Sequence, residues 1–140
     1  MVRLTILPTH YSKPSSGYTT RYHYWRDTNA HWTRTALPSP ANLISKNNIT
    51  GTPTVIGKRG KMVSSKDTLY AILPSNAPNS TALSIVGSTV SGNFLDWKVI
   101  WESSNGNTAE PLFDRYRLSD GVLSLFLVNG TNLQVVDFTL

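Results

Sequence analysis

The sequence contains no cysteine. Disulfide bonds and thiolate metal sites are therefore excluded, and the redox environment of the protein stays open. Histidine is scarce, with 3 residues in the chain. No cluster of histidines and carboxylates stands at the spacing of a metal site, so the sequence predicts neither a metal ion nor a cofactor.

Long apolar runs are also missing. No segment approaches the length that spans a membrane, and the N-terminus lacks the apolar stretch of a signal peptide. No window of helical length shows the apolar spacing of an amphipathic helix. Apolar residues make up 39% of the chain and charged residues only 15%, whereas Ser, Thr, Asn, Gly and Pro are abundant. This composition indicates short strands joined by many turns, and the 140 residues suffice for one all-β domain.

Charge of either sign is sparse, with 13 Lys and Arg against 8 Asp and Glu, which gives a net charge of +5. The basic residues are scattered, and the one cluster is Lys58-Arg59-Gly60-Lys61. No basic run is interleaved with aromatic residues, so a solvated surface is favoured over a nucleic-acid interface. An acidic oligosaccharide or polysaccharide would suit the same charge.

A β-hairpin is predicted where two alternating runs flank the turn Asp27-Thr28-Asn29. Asp27 can accept hydrogen bonds from the amides of its own turn, and Trp32 can lie across the hairpin as an apolar plug. The Asp-x-x-x-x-Trp spacing resembles the Asp-box turn of sialidase-like propellers, Ser-x-Asp-x-Gly-x-x-Trp. Trp25 replaces the Ser, and Asn29 replaces the Gly. A hairpin that carries Asp and Trp by chance is the alternative.

Two further groups of strands repeat each other. Residues 67–73 align with 120–126, and residues 83–86 align with 133–136, at a separation of about fifty residues, which is typical of propeller blades. The sequence therefore predicts antiparallel four-stranded meanders that form about two and a half blades of a β-propeller. Residues 1–140 make one segment, with the end of a blade at 20–37, a complete blade at 61–102 and an incomplete last blade at 111–138. A sandwich of short strands is the alternative.

The strands Pro111–Arg117 and Val122–Leu127 belong to the predicted last blade, which lacks its outermost strand. Arg3–Leu7 is the candidate for this missing strand, beside Val135–Phe138. A long connection, Pro38–Lys58, precedes the complete blade. Loops of this length in compact domains are usually functional or disordered.

The order and spacing of these motifs resemble the C-terminal part of the BNR-repeat-containing family. That family includes seven-bladed propeller lyases that act on ulvan and on rhamnose-glucuronate linkages. The matching segments are residues 24–28, 32–38, 96–97, 110–114, 120–124 and 136–138. The resemblance implies a fragment of a polysaccharide lyase that cleaves uronate-containing glycans by β-elimination. The catalytic blades would be missing, so the fragment itself would be inactive.

The resemblance assigns no role to the histidines, because Met1–Thr20 does not match the catalytic blades. His10, His23 and His31 are therefore expected to be structural, with His31 exposed in the hairpin turn. Two alternatives remain open. One is a sialidase-like glycoside hydrolase, and the other is a non-catalytic glycan-binding module that uses exposed aromatic side chains, namely Tyr22, Trp25 and Trp101.

Charged residues that enter an innermost strand of a blade point towards the central channel. The candidates for contact with an anionic sugar are Arg59, Lys61, Glu110 and Arg115. Arginine suits a uronate because its planar fork donates two parallel hydrogen bonds to a carboxylate. In a lyase the same charge would stabilise the enolate that develops during proton removal. Exposed loop charges, or salt bridges between blades, are the alternative.

Glycosylation sequons begin at Asn48, Asn79 and Asn129. All three fall on predicted loops of one propeller face. They are compatible with secretion, and the resemblance implies an extracellular parent protein.

Overall fold

The computed structural model describes residues 22–38, 60–74, 82–103 and 110–140, together with the backbone of Arg3–Leu4. The strands are β1 (Arg3–Leu4), β2 (Tyr22–Arg26), β3 (Trp32–Ala36), β4 (Lys61–Ser65), β5 (Thr68–Pro74), β6 (Leu83–Thr89), β7 (Lys98–Ser103), β8 (Leu112–Phe113), β9 (Val122–Asn129) and β10 (Asn132–Thr139). One short 3-10 helix covers Arg117–Asp120. These ranges contain no α-helix, which confirms the prediction of an all-β chain.

The strands form three antiparallel sheets, none of which closes into a barrel. Sheet A has the order β1-β2-β3, sheet B the order β4-β5-β6-β7, and sheet C the order β8-β9-β10. Within sheets B and C, strands that follow each other in the chain are also neighbours in the sheet, so each of these sheets is a meander. The antiparallel meanders are confirmed, whereas their arrangement as propeller blades stays a prediction.

Sheet B is buried on both faces, because successive residues of a strand point to opposite sides. Leu69, Ala71 and Leu73 of β5 share one apolar cluster with Leu37, which follows β3 of sheet A. Ile72, which lies between Ala71 and Leu73, belongs to a second cluster together with three side chains of sheet C, Leu123, Leu125 and Leu127. Sheet B therefore lies between sheet A and sheet C.

Aromatic rings fill the space between sheets A and B. His23 of β2 contacts Phe94 and Trp97 edge to face, with ring centroids 5.6 Å and 5.2 Å apart. Trp25 contacts the same Phe94 at 5.9 Å. Phe94 belongs to the turn between β6 and β7, so this turn folds back over sheet A. The contact positions the hairpin β2-β3 on sheet B.

The partner of β1 differs from the prediction. Arg3 pairs with Arg26 and Leu4 with Trp25, so β1 extends the edge of sheet A rather than pairing beside Val135–Phe138. The first strand of sheet C is also shorter than predicted, since it ends at Phe113. There the carboxylate of Asp114 accepts a hydrogen bond from the Tyr116 amide at 2.8 Å, which turns the chain out of the sheet.

The connection Pro38–Lys58 lies almost entirely outside the described residues, as do His10 and the sequons at Asn48 and Asn79. The sequon at Asn129 falls at the end of β9, where the chain turns into β10. In the described part of the chain, no helix has the length and apolar character that a membrane crossing requires.

Candidate functional site

Two of the predicted substrate-binding residues contact each other. Lys61 is the first residue of β4 and Glu110 comes shortly before β8, so sheets B and C begin side by side. The Lys61 Nζ atom lies 3.4 Å from Oε2 of Glu110, and both side chains are partly exposed. The pair has the form of a salt bridge between neighbouring sheets. An anionic ligand at this edge would have to compete with Glu110 for the ammonium group.

The other two predicted residues do not join this pair. Arg59 lies outside the described residues. Arg115 is exposed in the turn after β8, whereas Glu110 precedes that strand. Arg115 and Glu110 therefore flank β8 at opposite ends. The structure brings together one cation and one anion of the predicted set, and their role in substrate binding stays a prediction.

The turn between β2 and β3 is organised by Asp27. Its Oδ1 atom accepts hydrogen bonds from the backbone amides of Asn29 and His31, both at 2.9 Å. The pKa of the Asp27 carboxyl is below its usual value, mainly because the carboxylate accepts the hydrogen bond from the His31 amide. The residue with left-handed backbone is Ala30, at φ 68°, rather than Asn29. Trp32 is 53% exposed on the outward side of the hairpin.

The outward side of the hairpin combines aromatic and cationic side chains. We call it the aromatic-arginine face, and it consists of Tyr22, Tyr24, Arg26, Trp32 and Arg34. The register pairs Tyr24 with Arg34 and Arg26 with Trp32, so rings and guanidinium groups alternate across the two strands. The Arg34 guanidinium carbon lies 4.6 Å from the centroid of the Tyr22 ring, a cation-π contact. This face can offer both stacking surfaces and hydrogen-bond donors to an anionic ligand.

Two of the three aromatic residues expected to be exposed point inward instead. Trp25 packs against Phe94 between sheets A and B, and Trp101 lies 5.1 Å from Phe138 between sheets B and C. The alternation of β2 explains the first case, because Trp25 faces the side opposite to Tyr22 and Tyr24. That parity is visible in the sequence. Trp32 is the exposed indole of the hairpin instead, because the register pairs it with Arg26 on the outward side.

His23 is fully buried between sheets A and B. Neither ring nitrogen has a hydrogen-bond partner among the described residues. Burial lowers the pKa of this imidazole to about 4, so the ring is neutral at pH 7. His23 therefore acts as a packing residue, because its nitrogens are buried and no carboxylate of the described residues bonds to them.

The carboxylates with shifted pKa values serve the fold. Asp96 accepts hydrogen bonds from the Ser88 hydroxyl and, at 3.0 Å, from the Thr89 amide, which lower its pKa to about 2. Asp137 accepts a hydrogen bond from the Ser124 hydroxyl at 2.6 Å and forms a salt bridge with Arg117 at 2.7 Å. The Ser124 hydrogen bond is the larger cause that lowers the pKa of Asp137, and Arg117 is the second. Each carboxylate ties a turn or helix to a strand.

Metal chemistry finds no support in this part of the chain. Among the described residues, no three His, Asp or Glu side chains come close enough together to hold an ion. Among the described residues, the aromatic-arginine face carries cations that no carboxylate pairs with, whereas the Lys61 ammonium group is already paired with Glu110.

Comparisons with known proteins add no family to these observations. No protein-family model matches the chain, and no curated protein matches it significantly.

Proposed function

We propose that this chain is part of a carbohydrate-active β-propeller whose parent protein is a polysaccharide lyase. The parent would cleave uronate-containing glycans by β-elimination. A base removes the proton next to the carboxylate, the bond to the leaving oxygen breaks as the double bond forms, and the leaving oxygen takes up a proton. The proposal takes its chemistry from the resemblance to BNR-repeat lyases.

The observation that carries the propeller part of the proposal is the double burial of sheet B. Successive blades of a propeller pack face to face, and each gains most of its stability from its neighbours. Sheet B has apolar contacts on both faces, with sheet A through Leu37 and with sheet C through Leu123 and Leu125, and this supports the proposal. The strand order β4-β5-β6-β7 of sheet B is a four-stranded meander, as the proposed blade requires.

The chain by itself is expected to be inactive. The described residues bring no histidine next to a carboxylate in a buried site, since the one His–Asp contact, His31 Nδ1 to Asp27 Oδ2 at 3.5 Å, lies at an exposed turn. The base and the acid of the reaction would come from other blades of the parent. The part contributed here would be glycan contact, with Arg59, Lys61 and Arg115 as the predicted cations.

The test follows the absorbance of the unsaturated uronate product. The parent protein and the isolated chain are incubated in parallel with a polyuronate and with a neutral polysaccharide. We expect the parent to produce the absorbance from the polyuronate alone, and the isolated chain to produce none. New reducing ends without unsaturated product would replace the lyase by a glycoside hydrolase. Product formation by the isolated chain would refute the assignment of catalysis to other blades.

A glycan-binding module without catalysis is the second candidate, and the aromatic-arginine face favours it. Tyr22, Trp32 and Arg34 give this face the mixture of rings and cations that an acidic sugar requires. The two candidates use the face differently. In a propeller it would pack against a preceding blade, whereas in a module it would be open to the ligand. Binding of polyuronate without any product would support the module.

A further inference from the structure

Arginine side chains on the aromatic-arginine face are not neutralised by the described residues. Arg26 donates through Nε to the carbonyl oxygen of Ala30 at 3.3 Å, and Arg34 lies over the Tyr22 ring. Neither guanidinium pairs with a carboxylate in the described part of the chain. The nearest carboxylate in sequence, Asp27, is already bound to the amides of its turn and to His31. As far as the described residues go, the face therefore carries a net positive charge.

The hairpin holds this face in a fixed shape. The register of β2 and β3 is continuous from Tyr22–Ala36 to Arg26–Trp32, and the opposite side of both strands packs on sheet B. Tyr22 and Tyr24 contact each other edge to face, with centroids 6.4 Å apart and an angle of 60° between their planes. A binding surface on rigid strands loses little conformational entropy when a ligand binds.

The ring geometry favours a sugar over a nucleic acid. Single-stranded nucleic acids stack successive bases on aromatic side chains next to a basic groove. Here the two tyrosine rings are strongly inclined to each other, and Arg34 already lies over Tyr22. Trp32, with 53% of its surface exposed, remains as one open ring beside two arginines. One flat apolar ring next to a guanidinium suits a pyranose, which has an apolar C–H face and, in a uronate, a carboxylate at its rim.

We propose that the aromatic-arginine face binds an acidic oligosaccharide, with Trp32 against the C–H face of one sugar ring and Arg34 holding the carboxylate of the same or the next residue. This inference rests on the second candidate of the proposed function, the glycan-binding module, because this face is open to a ligand there, and it places the contact on sheet A rather than at Lys61. Arg26 supplies a second cation for a neighbouring uronate along the chain of sugars.

The test measures binding of the full chain to oligogalacturonate, to a neutral galactan oligomer and to a single-stranded oligothymidylate by titration calorimetry. The variants are Arg34→Gln, Arg34→Lys and Trp32→Ala. The matched control is Lys98→Gln, which removes an exposed strand cation of sheet B. We expect Arg34→Gln to weaken oligogalacturonate binding about tenfold or more, because it removes a charge-assisted contact. Arg34→Lys should recover only part of the loss, since lysine lacks the planar fork.

Trp32→Ala should also weaken binding, whereas Lys98→Gln should leave it within twofold of the unsubstituted chain. Thermal melts of every variant check that the fold is kept, which is expected because Trp32 and Arg34 are exposed. Equal binding by Arg34→Gln and the unsubstituted chain would overturn the site on sheet A and leave the proposed glycan function intact. Absence of oligogalacturonate binding by the unsubstituted chain would overturn both this site and the glycan-binding module, while the lyase parent is tested separately by the unsaturated product. Tighter binding of the oligothymidylate would replace the sugar by a nucleic acid.

Discussion

His23 is a buried side chain whose titration should control the stability of the sheet A–sheet B contact. Its pKa is about 4 in the folded protein against 6.5 for the free group, because burial disfavours the imidazolium ion. The unfolded chain therefore binds more protons between these two values, and stability should fall as the pH drops from about 6.5 towards 4. The shift corresponds to a loss of about 3 kcal/mol. The described contacts of the ring, with Phe94 and Trp97, include no charged group that would offset it.

The matching variant is His23→Phe, which keeps an aromatic ring and removes the titration. We expect urea unfolding at pH 7 and pH 4.5 to show a smaller pH dependence for this variant. At pH 7 it should be at least as stable as the unsubstituted chain, because both ring nitrogens of His23 lack partners among the described residues. An unchanged pH dependence in His23→Phe would assign the effect to other groups.

At the scale of elements, the turn between β6 and β7 carries unusual backbone conformations. Asn93 and Phe94 both have positive φ, at 51° and 57°. An aromatic residue in this region is strained, and the strain is offset where its ring packs against His23 and Trp25. The Asp96 carboxylate closes the turn by accepting a hydrogen bond from the Thr89 amide. It lies so close to Gly92 that a Cβ atom at that position would overlap it. The turn is therefore shaped to insert Phe94 between sheets A and B.

The positive φ of Phe94 predicts that its glycine variant is more stable than its alanine variant, which is the reverse of the order expected in a strand. Phe94→Gly and Phe94→Ala both lose the ring contacts, but glycine adopts the left-handed conformation without the Cβ penalty of about 1 kcal/mol. We expect Phe94→Gly to be the more stable of the two by about 1 kcal/mol, measured by chemical denaturation. The control pair is Phe113→Gly and Phe113→Ala in the extended strand β8, where alanine should be the more stable. A more stable alanine variant at both positions would contradict the left-handed backbone conformation of Phe94.

Strand positions were largely predictable from the sequence because they depend on local alternation and turn residues. β5 and β9, for example, follow directly from the aligned repeat. The residues at which strands end, and the strands that they pair with, were harder to predict from the sequence. The strand predicted at Pro111–Arg117 ends at Phe113, because the side chain of Asp114 accepts a hydrogen bond from the Tyr116 amide. The strand β1 is too short for its sequence pattern to specify the strand that it pairs with. Likewise, a charge that binds a ligand and one that pairs with a neighbouring sheet look alike in sequence, as for Lys61 and Glu110.

At the scale of the whole molecule, the three sheets differ in how their faces are covered. Sheet B has neighbours on both sides, whereas sheet C has sheet B on one side only among the described residues. Val136 and Phe138 of β10 face sheet B, so Leu133 and Val135 point the other way. They are 68% and 56% exposed, and Leu112 on the same outward side is 60% exposed. Exposed apolar patches of this kind mark interaction sites.

This uncovered face predicts that the isolated chain associates with itself. The outward positions of β8, β9 and β10 line up through the register Leu112–Phe126–Val135, which makes an apolar row suited to pack on another sheet. The double variant Leu133→Gln with Val135→Thr should shift the chain towards the monomer in sedimentation analysis, because it reduces the apolar surface available for contact. Leu95→Gln is the control, since Leu95 is equally exposed, at 60%, but lies in the turn before β7. A monomeric unsubstituted chain that melts sharply would mean that sheet C needs no further neighbour, and the propeller with its lyase parent would then be refuted.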